Sequence, residues 1–329
     1  MGLSKENSAS WRNPSVGREL AVGIAATLLF FLSVLLIPMV GVFMGIFTPL
    51  PTLLSFYRWG PPLGYWIPGG AGVAGSAVLV YLGMAESLPY FLEMLFLGLF
   101  LGAAMRQSWS IEKTIGSSTL LVFAMGAVIF WWVHASGEAG LMKSLEEDLG
   151  GAITATLQQY GSFSQEKQLL EQALQSIVPL MVRLLPALGL SSALVISWMN
   201  LMVAKRYCQV HSLPLPPWED WTRWKAPELM VWPVIASGFM LLVPNEIAKI
   251  FGMNGLMVLG TIFLFQGLAV IAFYFEKWKL HRALRAILYA FIMLQQFAAL
   301  GVALSGLFDV WFDFRRLSRK STSEDDEAE

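Results

Sequence analysis

The chain has 329 residues, of which 56% are hydrophobic and only 14% are charged, and its formal net charge is −1. Soluble domains carry roughly 25% charged residues, so the composition excludes a soluble domain, and its apolar content excludes a disordered chain. The near-zero net charge also excludes a general attraction to nucleic acid. We therefore predict an all-α, polytopic integral membrane helical bundle whose main partner is the lipid bilayer.

Nine apolar runs are candidate membrane helices, since a spanning helix needs about 20 mostly apolar residues. Pro38 separates the first two runs, because proline cannot continue the helical hydrogen-bond ladder. The Pro-rich second run could equally be a broken or re-entrant helix, which is tolerated in a membrane only under cover of protein or a watery cavity. We predict eight or nine transmembrane helices among the runs 20–36, 39–57, 63–83, 88–105, 115–134, 178–204, 229–248, 254–275 and 286–308.

The loops predict the orientation of the chain. With the N-terminal tail 1–19 in the cytoplasm, the inside segments before the last run hold 14 Lys or Arg residues, and the outside segments hold 3. By the positive-inside rule, this asymmetry predicts a multi-pass protein of the bacterial inner (cytoplasmic) membrane with a cytoplasmic N terminus. The charged tail 309–329 disagrees, because nine spans would place Arg315 and Arg316 outside. Either one run after residue 229 does not span, or the tail is tolerated outside.

A long loop, 135–177, divides the chain into a first membrane half of four or five helices, 20–134, and a second half of four, 178–308. The loop is acidic and carries apolar residues at helical spacing, which predicts two amphipathic helices. They could form an outer lid, or they could be a linker that rests on the membrane surface.

The cytoplasmic loop 205–228 is rich in proline and tryptophan, with Trp218, Trp221 and Trp224 close to basic residues. Tryptophan and basic residues together suit the lipid headgroup region, so we expect this loop to lie along the inner leaflet. Its function could be to dock a cytoplasmic partner, or it could simply connect two membrane helices.

Ionisable residues inside membrane helices are functional candidates, because their burial in lipid is costly. The runs contain four of them, and the predicted topology places all four toward the outer side. We hypothesise an outward-facing polar pocket in which Glu93 and Arg183 share a cavity; the alternative is that these side chains snorkel to the interface. The candidate ligand-binding residues are Glu93, Arg183, Trp131, Trp132, His134, Asn245, Glu246, Gly69 and Gly70.

The last two of these, Gly69 and Gly70, lie in a glycine-dense stretch that indicates close helix packing or backbone near a ligand. The membrane amides Asn200, Gln266, Gln295 and Gln296 are adequately explained by interhelical hydrogen bonds. The chain has one cysteine and three histidines, far apart in sequence, so we predict no metal, no cofactor and no catalytic residues.

Several short motifs resemble a known family. They are Ser197 to Arg206 with the Trp/Pro loop that follows, Gly306 to Arg315, Phe56 to Gly60, and Gly98-Leu-Phe-Leu-Gly102 with Arg106. Over residues 20–315 the chain resembles the YybS-like family of bacterial membrane proteins, a family without an established activity. The resemblance further implies a distant similarity to the substrate-binding subunits of energy-coupling-factor transporters. Those subunits bind a small molecule near the outer face and dock on a coupling subunit, in part through an Ala-x-x-x-Ala spacing that Ala21 and Ala25 match.

Two functions remain open from the sequence. The first is a transporter-type membrane subunit that binds a small solute and needs an energising membrane or ATPase partner, because the chain has no nucleotide-binding motif. The alternative is a non-transport scaffold that recruits partners through loop 205–228, with Trp218, Trp221 and Trp224 as contacts. An enzyme is disfavoured, because no Ser-His-Asp arrangement can be placed on one face of the membrane.

Overall fold

The computed structural model describes residues 14–134, 141–159 and 164–316, and within these ranges the regular elements are all helices. The predicted all-α polytopic bundle is confirmed. In the described ranges seven helices are long and apolar enough to cross a bilayer, or eight if one bent pair counts as a single span. The count therefore falls at the lower end of the eight or nine helices predicted.

The chain forms two compact units. The first contains Met1–Val133 together with Ala193–Trp218, and the second contains His134–Ser192 together with Glu219–Glu329. The boundary differs from the division at loop 135–177, because the end of the sixth predicted membrane run packs with the first half of the chain.

The first unit is built from six helices and the end of a long one, α8. Its apolar core brings Phe31 of α1 against Phe91 of α5, with ring centroids 4.5 Å apart. The helices are α1 Pro14–Leu36, α2 Pro38–Gly45, α3 Pro49–Trp59, α4 Trp66–Tyr81, α5 Leu88–Arg106 and α6 Ile111–His134, and α8 Ser164–Val210 contributes its C-terminal part.

The second predicted run, 39–57, is divided between two helices, α2 and α3. This is the broken form, one of the two that its prolines suggested. Pro49 and Pro51 have no N–H, so the carbonyls of Gly45 and Phe47 cannot accept the usual hydrogen bond from four residues ahead. They accept shorter-range bonds instead, from Thr48 N to Gly45 O and from Leu50 N to Phe47 O, both at 3.0 Å. The helix therefore breaks between α2 and α3.

The second unit contains α7 Leu141–Gln159, the first part of α8, α9 Val231–Leu242, α10 Glu246–Lys277, α11 Arg282–Leu294 and α12 Gln296–Phe312. Helices do occur in the loop 135–177, as its apolar spacing predicted. The second of them is continuous with the following membrane helix, because α8 already begins at Ser164.

Two predicted runs of the second half differ from simple spans. The run 229–248 contains most of a 3-10 turn, Glu228–Met230, then α9 and the first residues of α10. α9 itself has 12 residues, which at 1.5 Å per residue is about 18 Å and shorter than the ~30 Å hydrocarbon core. The run 286–308 is divided between α11 and α12, which are bent by 102°. The bend occurs at Gln295, whose backbone is extended.

The C-terminal end of α12 is attached to the loop that precedes α9. Arg315 donates hydrogen bonds to the carbonyls of Thr222 at 2.7 Å and Trp224 at 3.0 Å, and it pairs with Asp309 at 2.7 Å. Arg315 thus lies next to the part of the Trp/Pro loop that belongs to the second unit.

Candidate functional site

The helix break between α2 and α3 is closed by an amide from α8. The Nδ2 group of Asn200 donates to Ile46 O and to Ile196 O, each at 2.7 Å. In a regular helix Ile46 O would accept from the N–H of Leu50, but that N–H is bonded to Phe47 O. Ile46 O therefore needs the donor from Asn200. Both acceptors are carbonyls, so the orientation of the amide is determined and its Oδ1 atom faces away from them.

Two further contacts of the first unit involve buried hydroxyl-bearing residues. Ser197, one turn before Asn200, lies 2.9 Å from the hydroxyl of Thr119 on α6. On α3, Thr52 packs against Gly98 of α5, where a Cβ atom would approach the Thr52 Cβ to 2.8 Å and the Pro49 carbonyl oxygen to 2.5 Å. Glycine is thus required at position 98 for α3 and α5 to pack this closely.

We call the set Thr48, Thr52, Thr114, Ser118, Thr119, Ser197 and Asn200 the polar junction. All of its side chains are at most 1% exposed. Within the described chain, five of its oxygen atoms have no hydrogen-bond partner: Thr48 Oγ1, Thr52 Oγ1, Thr114 Oγ1, Ser118 Oγ and Asn200 Oδ1. A buried polar atom without a partner costs about 1–3 kcal/mol, so these residues are the candidate contacts for a polar ligand.

Two residues of the predicted outer pocket, Arg183 and Glu246, contact each other in the second unit. Arg183 on α8 lies 3.7 Å from Glu246 in the first turn of α10, with side chains 39% and 83% exposed. Asn245 accepts hydrogen bonds from the N–H groups of Ile247 and Ala248. Asn245 is therefore the N-cap of α10, and the exposed Arg183–Glu246 pair contributes at most about 1 kcal/mol.

A residue that the sequence did not single out holds this region together. Asn254 on α10 accepts from Ala187 N and donates to Arg183 O, both at 3.0 Å. These two groups would normally bond to each other within α8, so the Asn254 side chain is inserted into the helical ladder beside Pro186. The nearby proline was the available signal, because it marks where α8 needs an outside partner.

Other residues of the hypothesised outer pocket belong to the first unit. Glu93 is half-buried in the first unit, and its carboxylate would be 2.7 Å from a Cβ atom at Gly126 of α6. Trp131 and Trp132 are exposed near the end of α6. The side chain of His134 is outside the described part of the chain. The sharing of a cavity by Glu93 and Arg183 stays a prediction.

The small residues have separate roles. Gly70 packs against Ile24 of α1, where a Cβ atom would approach the Ile24 Cδ1 to 2.5 Å, whereas the position of Gly69 is open. Gly70 thus serves helix packing. Ala21 and Ala25 are both exposed on α1, so this face is available within the first unit.

The tryptophans of loop 205–228 point largely into the protein. Trp224 is buried, and Trp218 Nε1 donates to Trp109 O at 2.7 Å within the first unit. Trp221 is partly buried. These side chains contribute to the fold of their own units, which weakens their case as exposed docking contacts.

Comparison with known proteins agrees with this architecture. The family described as "Predicted membrane protein (DUF2232)" matches residues 25–310. The chain belongs to this family. The uncharacterized protein YybS of Bacillus subtilis (strain 168) is 20% identical over 305 residues, which cover 90% of this chain and 96% of that protein. No solved structure matches.

The YybS-like resemblance inferred from short motifs is therefore confirmed for this DUF2232 member. Its membrane character and its contact with the lipid bilayer follow from the family and the apolar helices. The more distant similarity to the substrate-binding subunits of energy-coupling-factor transporters stays a prediction.

Proposed function

We propose that this DUF2232 protein is a transporter-type membrane protein of the bacterial cytoplasmic membrane that binds a small polar solute at the polar junction. The observation that carries the proposal is the set of five buried oxygen atoms without partners in the first unit, one of which, Thr48 Oγ1, lies at the turn between α2 and α3. Substrate and ion sites of membrane transporters are typically formed by such discontinuous helices. The role is one of binding rather than catalysis.

The proposal moves the binding site from the outer pocket to the interior of the first unit. The Arg183–Glu246 pair is exposed, so water competes with any solute for these two side chains. Neutral oxygen atoms inside the first unit would form stronger hydrogen bonds to a solute, because a hydrogen bond strengthens when water is excluded. The scaffold alternative is less well supported, since Trp218 and Trp224 face their own units.

The orientation is part of the proposal. With the N terminus in the cytoplasm, the positive-inside rule places loop 205–228 in the cytoplasm. Arg315 is bonded to Thr222 and Trp224 of that loop, so the C-terminal end of α12 would also be cytoplasmic. Arg315 and Arg316 would then obey the positive-inside rule that they contradicted in a nine-span topology.

An energising partner is the second part of the proposal, because the sequence contains no nucleotide-binding motif. Ala21 and Ala25 form a small-residue face exposed on α1, where another membrane helix could approach closely. Co-purification with ATPase or coupling subunits would support this part, and loss of the partner in an Ala21→Leu, Ala25→Leu double variant would locate the contact.

The solute-binding proposal is tested by native mass spectrometry and thermal unfolding of the purified full chain with a panel of small polar metabolites. We expect a retained ligand, or a metabolite that raises the unfolding midpoint of the wild type. Thr52→Val should remove this effect, because it replaces an unpartnered hydroxyl with a methyl group.

Thr27→Val is the matched control. Thr27 is also a buried threonine of the first unit, but its hydroxyl is bonded to Gly23 O at 2.9 Å and lies in α1. This variant should keep the ligand response. Absence of any retained ligand and of any stabilising metabolite would contradict the proposed function.

A further inference from the structure

We propose that the second unit binds one anionic phospholipid, with an acyl chain in a groove along α12 and the phosphate beside Lys277 and Arg316. This site lies in a different part of the chain from the polar junction and does not depend on the proposed function. Three features support it: an apolar groove, aromatic rings at its mouth, and an excess of exposed basic side chains at the same end.

The groove follows one exposed face of α12 and has a volume of about 500 Å³. At Gly301 an added Cβ atom would have no atom of the described chain within 4 Å, so the missing side chain leaves a hollow. The hydroxyl of Ser305 is already bonded to Val302 O at 2.7 Å, and the groove therefore suits an apolar occupant. The lining residues are Gly301, Leu304, Ser305, Phe308, Phe312 and Phe314.

The mouth of the groove lies at the C-terminal end of α10. Tyr274 Oη donates to the carbonyl of Phe314, a lining residue, at 3.0 Å, and α10 ends at Lys277. This helix has 32 residues and is about 48 Å long, which exceeds the ~30 Å hydrocarbon core and reaches the headgroup regions. We therefore place Lys277 and the mouth of the groove at the level of the lipid headgroups.

The other end of the groove lies in the hydrocarbon region. Gly306, beside the groove, meets Phe263 of α10, which precedes Lys277 by about 14 residues and thus by ~21 Å along the helix. From Phe312 the groove extends to Gly301, about 16 Å along α12, close to the ~15 Å of hydrocarbon in one leaflet. The length and depth of the groove therefore fit one acyl chain.

Aromatic rings connect the groove to the basic end of α10. The rings of Trp278 and Tyr274 lie 5.2 Å apart, and the ammonium group of Lys277 lies 5.7 Å from the ring centre of Tyr274. On the groove side, the rings of Phe314 and Phe312 stack at 5.8 Å. Tryptophan and tyrosine are enriched at the headgroup level of membranes, so this end of the second unit presents one continuous surface to the chain and the headgroup of a lipid.

The charges at the mouth favour an anionic headgroup. Arg316 follows Phe314 by two residues, and Asp313 is already paired with Lys225 at 2.9 Å. Glu276 is an exposed acidic residue at this end. Basic residues that follow a membrane helix attract anionic lipids, and here they outnumber this acidic one. The exposed basic residues are Lys277, Lys279, Arg282 and Arg316.

Native mass spectrometry of the delipidated full-length protein in a neutral detergent tests the headgroup contacts. The probes are dioleoyl phosphatidylglycerol and dioleoyl phosphatidylcholine, which have the same acyl chains. We expect the first phosphatidylglycerol to bind at least about tenfold more tightly than the first phosphatidylcholine. The double variant Lys277→Gln, Arg316→Gln should weaken phosphatidylglycerol binding about fivefold for each charge removed. Lys249→Gln is the matched control, because Lys249 is exposed near the other end of α10.

Gly301→Leu tests the groove in the same titration. The leucine side chain would fill the hollow and should weaken phosphatidylglycerol binding about tenfold, since displacing two buried methylene groups already loses that much affinity. Gly260→Leu is the control, because Gly260 is equally open but lies in α10, outside the groove lining. Compact charge states identify the folded protein in each spectrum, so only folded molecules are counted.

Three outcomes would overturn the inference. The first is equal affinity of the wild type for the two lipids. The second is an equal loss of phosphatidylglycerol binding in Lys249→Gln and in the double variant. The third is a Gly301→Leu protein that binds phosphatidylglycerol as tightly as Gly260→Leu does.

Discussion

The most completely buried charges of the described chain are Asp309 and Arg315, whose side chains are both 0% exposed. Gln266 joins them by donating to Asp309 Oδ2 at 3.2 Å, and its own carbonyl accepts from Ala226 N at 3.1 Å. Arg315 also donates hydrogen bonds to the carbonyls of Thr222 and Trp224. One guanidinium group thus connects the end of α12 to the loop before α9.

Removal of one partner from this pair should be strongly destabilising. Arg315→Met leaves Asp309 as a buried, unpaired carboxylate, and such a change costs about 3–5 kcal/mol. We expect a large fall in the thermal unfolding midpoint of the detergent-purified protein. Lys225→Met is the control, because Lys225 forms a more exposed pair with Asp313 at 2.9 Å and should cost at most about 1 kcal/mol. Equal losses in both variants would show that burial of the Asp309–Arg315 pair has no special energetic role.

Individual polar residues were predictable only in part. The amides of Asn200 and Gln266 were expected to form interhelical hydrogen bonds, and Asn200 does so with Ile46 and Gln266 with Asp309. Asn254 was not singled out, because Pro186 marks a weak point in the hydrogen bonding of α8 but does not show which residue of another helix fills it. The five unpartnered atoms of the polar junction were hidden for the same reason: serine and threonine are common in membrane helices, and only packing reveals which are left without a partner.

At the scale of elements, α10 and α12 cross where two glycines meet. A Cβ atom at Gly267 would overlap the carbonyl oxygen of Val302, and one at Gly306 would overlap that of Phe263. Glycine at both positions allows the helix backbones to touch. This contact keeps Asp309 within reach of Gln266.

Alanine substitutions test the crossing. Gly267→Ala should destabilise the protein by about 1–3 kcal/mol, because overpacking forces the backbones apart. Gly260→Ala, in the same helix, has no atom within 4 Å of the added Cβ and should be neutral or stabilising by up to about 1 kcal/mol, since alanine favours helix. Both are measured as shifts of the unfolding midpoint. A Gly267→Ala protein as stable as Gly260→Ala would contradict close packing at this position.

The two helix breaks differ in how well the sequence indicates them. Pro49 and Pro51 mark the break between α2 and α3, because each proline removes a backbone donor. No proline marks the break at Gln295, where the sequence reads as one apolar run. The 102° bend there accompanies tertiary contacts, since α12 is held to α10 by the glycine crossing and to the loop by Arg315.

For the whole molecule, the testable quantity is the side on which each loop lies. We expect Arg316→Cys and Asp220→Cys to react with a membrane-impermeant thiol reagent from the same side, and Lys249→Cys from the opposite side. Arg316 and Asp220 flank the buried contacts of Arg315. Lys249 lies at the start of α10, whereas Gln266, which contacts Ala226 of the loop, lies about 20 residues after Glu246 in the same helix, a distance of ~30 Å.

This experiment is made in a Cys208→Ala background, which removes the single native cysteine, with intact cells compared with inverted vesicles. Labelling of Arg316→Cys and Asp220→Cys from opposite sides would contradict the proposed location of loop 205–228 and the C-terminal end of α12 on one side. Labelling of Lys249→Cys from the same side as Asp220→Cys would mean that the segment containing α9 does not cross the membrane.

Short motifs indicated the YybS-like family, and composition and hydropathy by themselves determined the membrane class, the helical architecture and the approximate number of spans. Hydropathy could do so because the bilayer imposes one simple requirement, about 20 apolar residues with internally satisfied backbone, on every span. The position of the candidate site and the contact of Arg315 with the loop before α9 depended on tertiary structure. Whether Asn200, Thr52 or Arg315 has a partner is decided by residues far away in the chain, and hydrogen bonds between distant segments leave no local signal in the sequence.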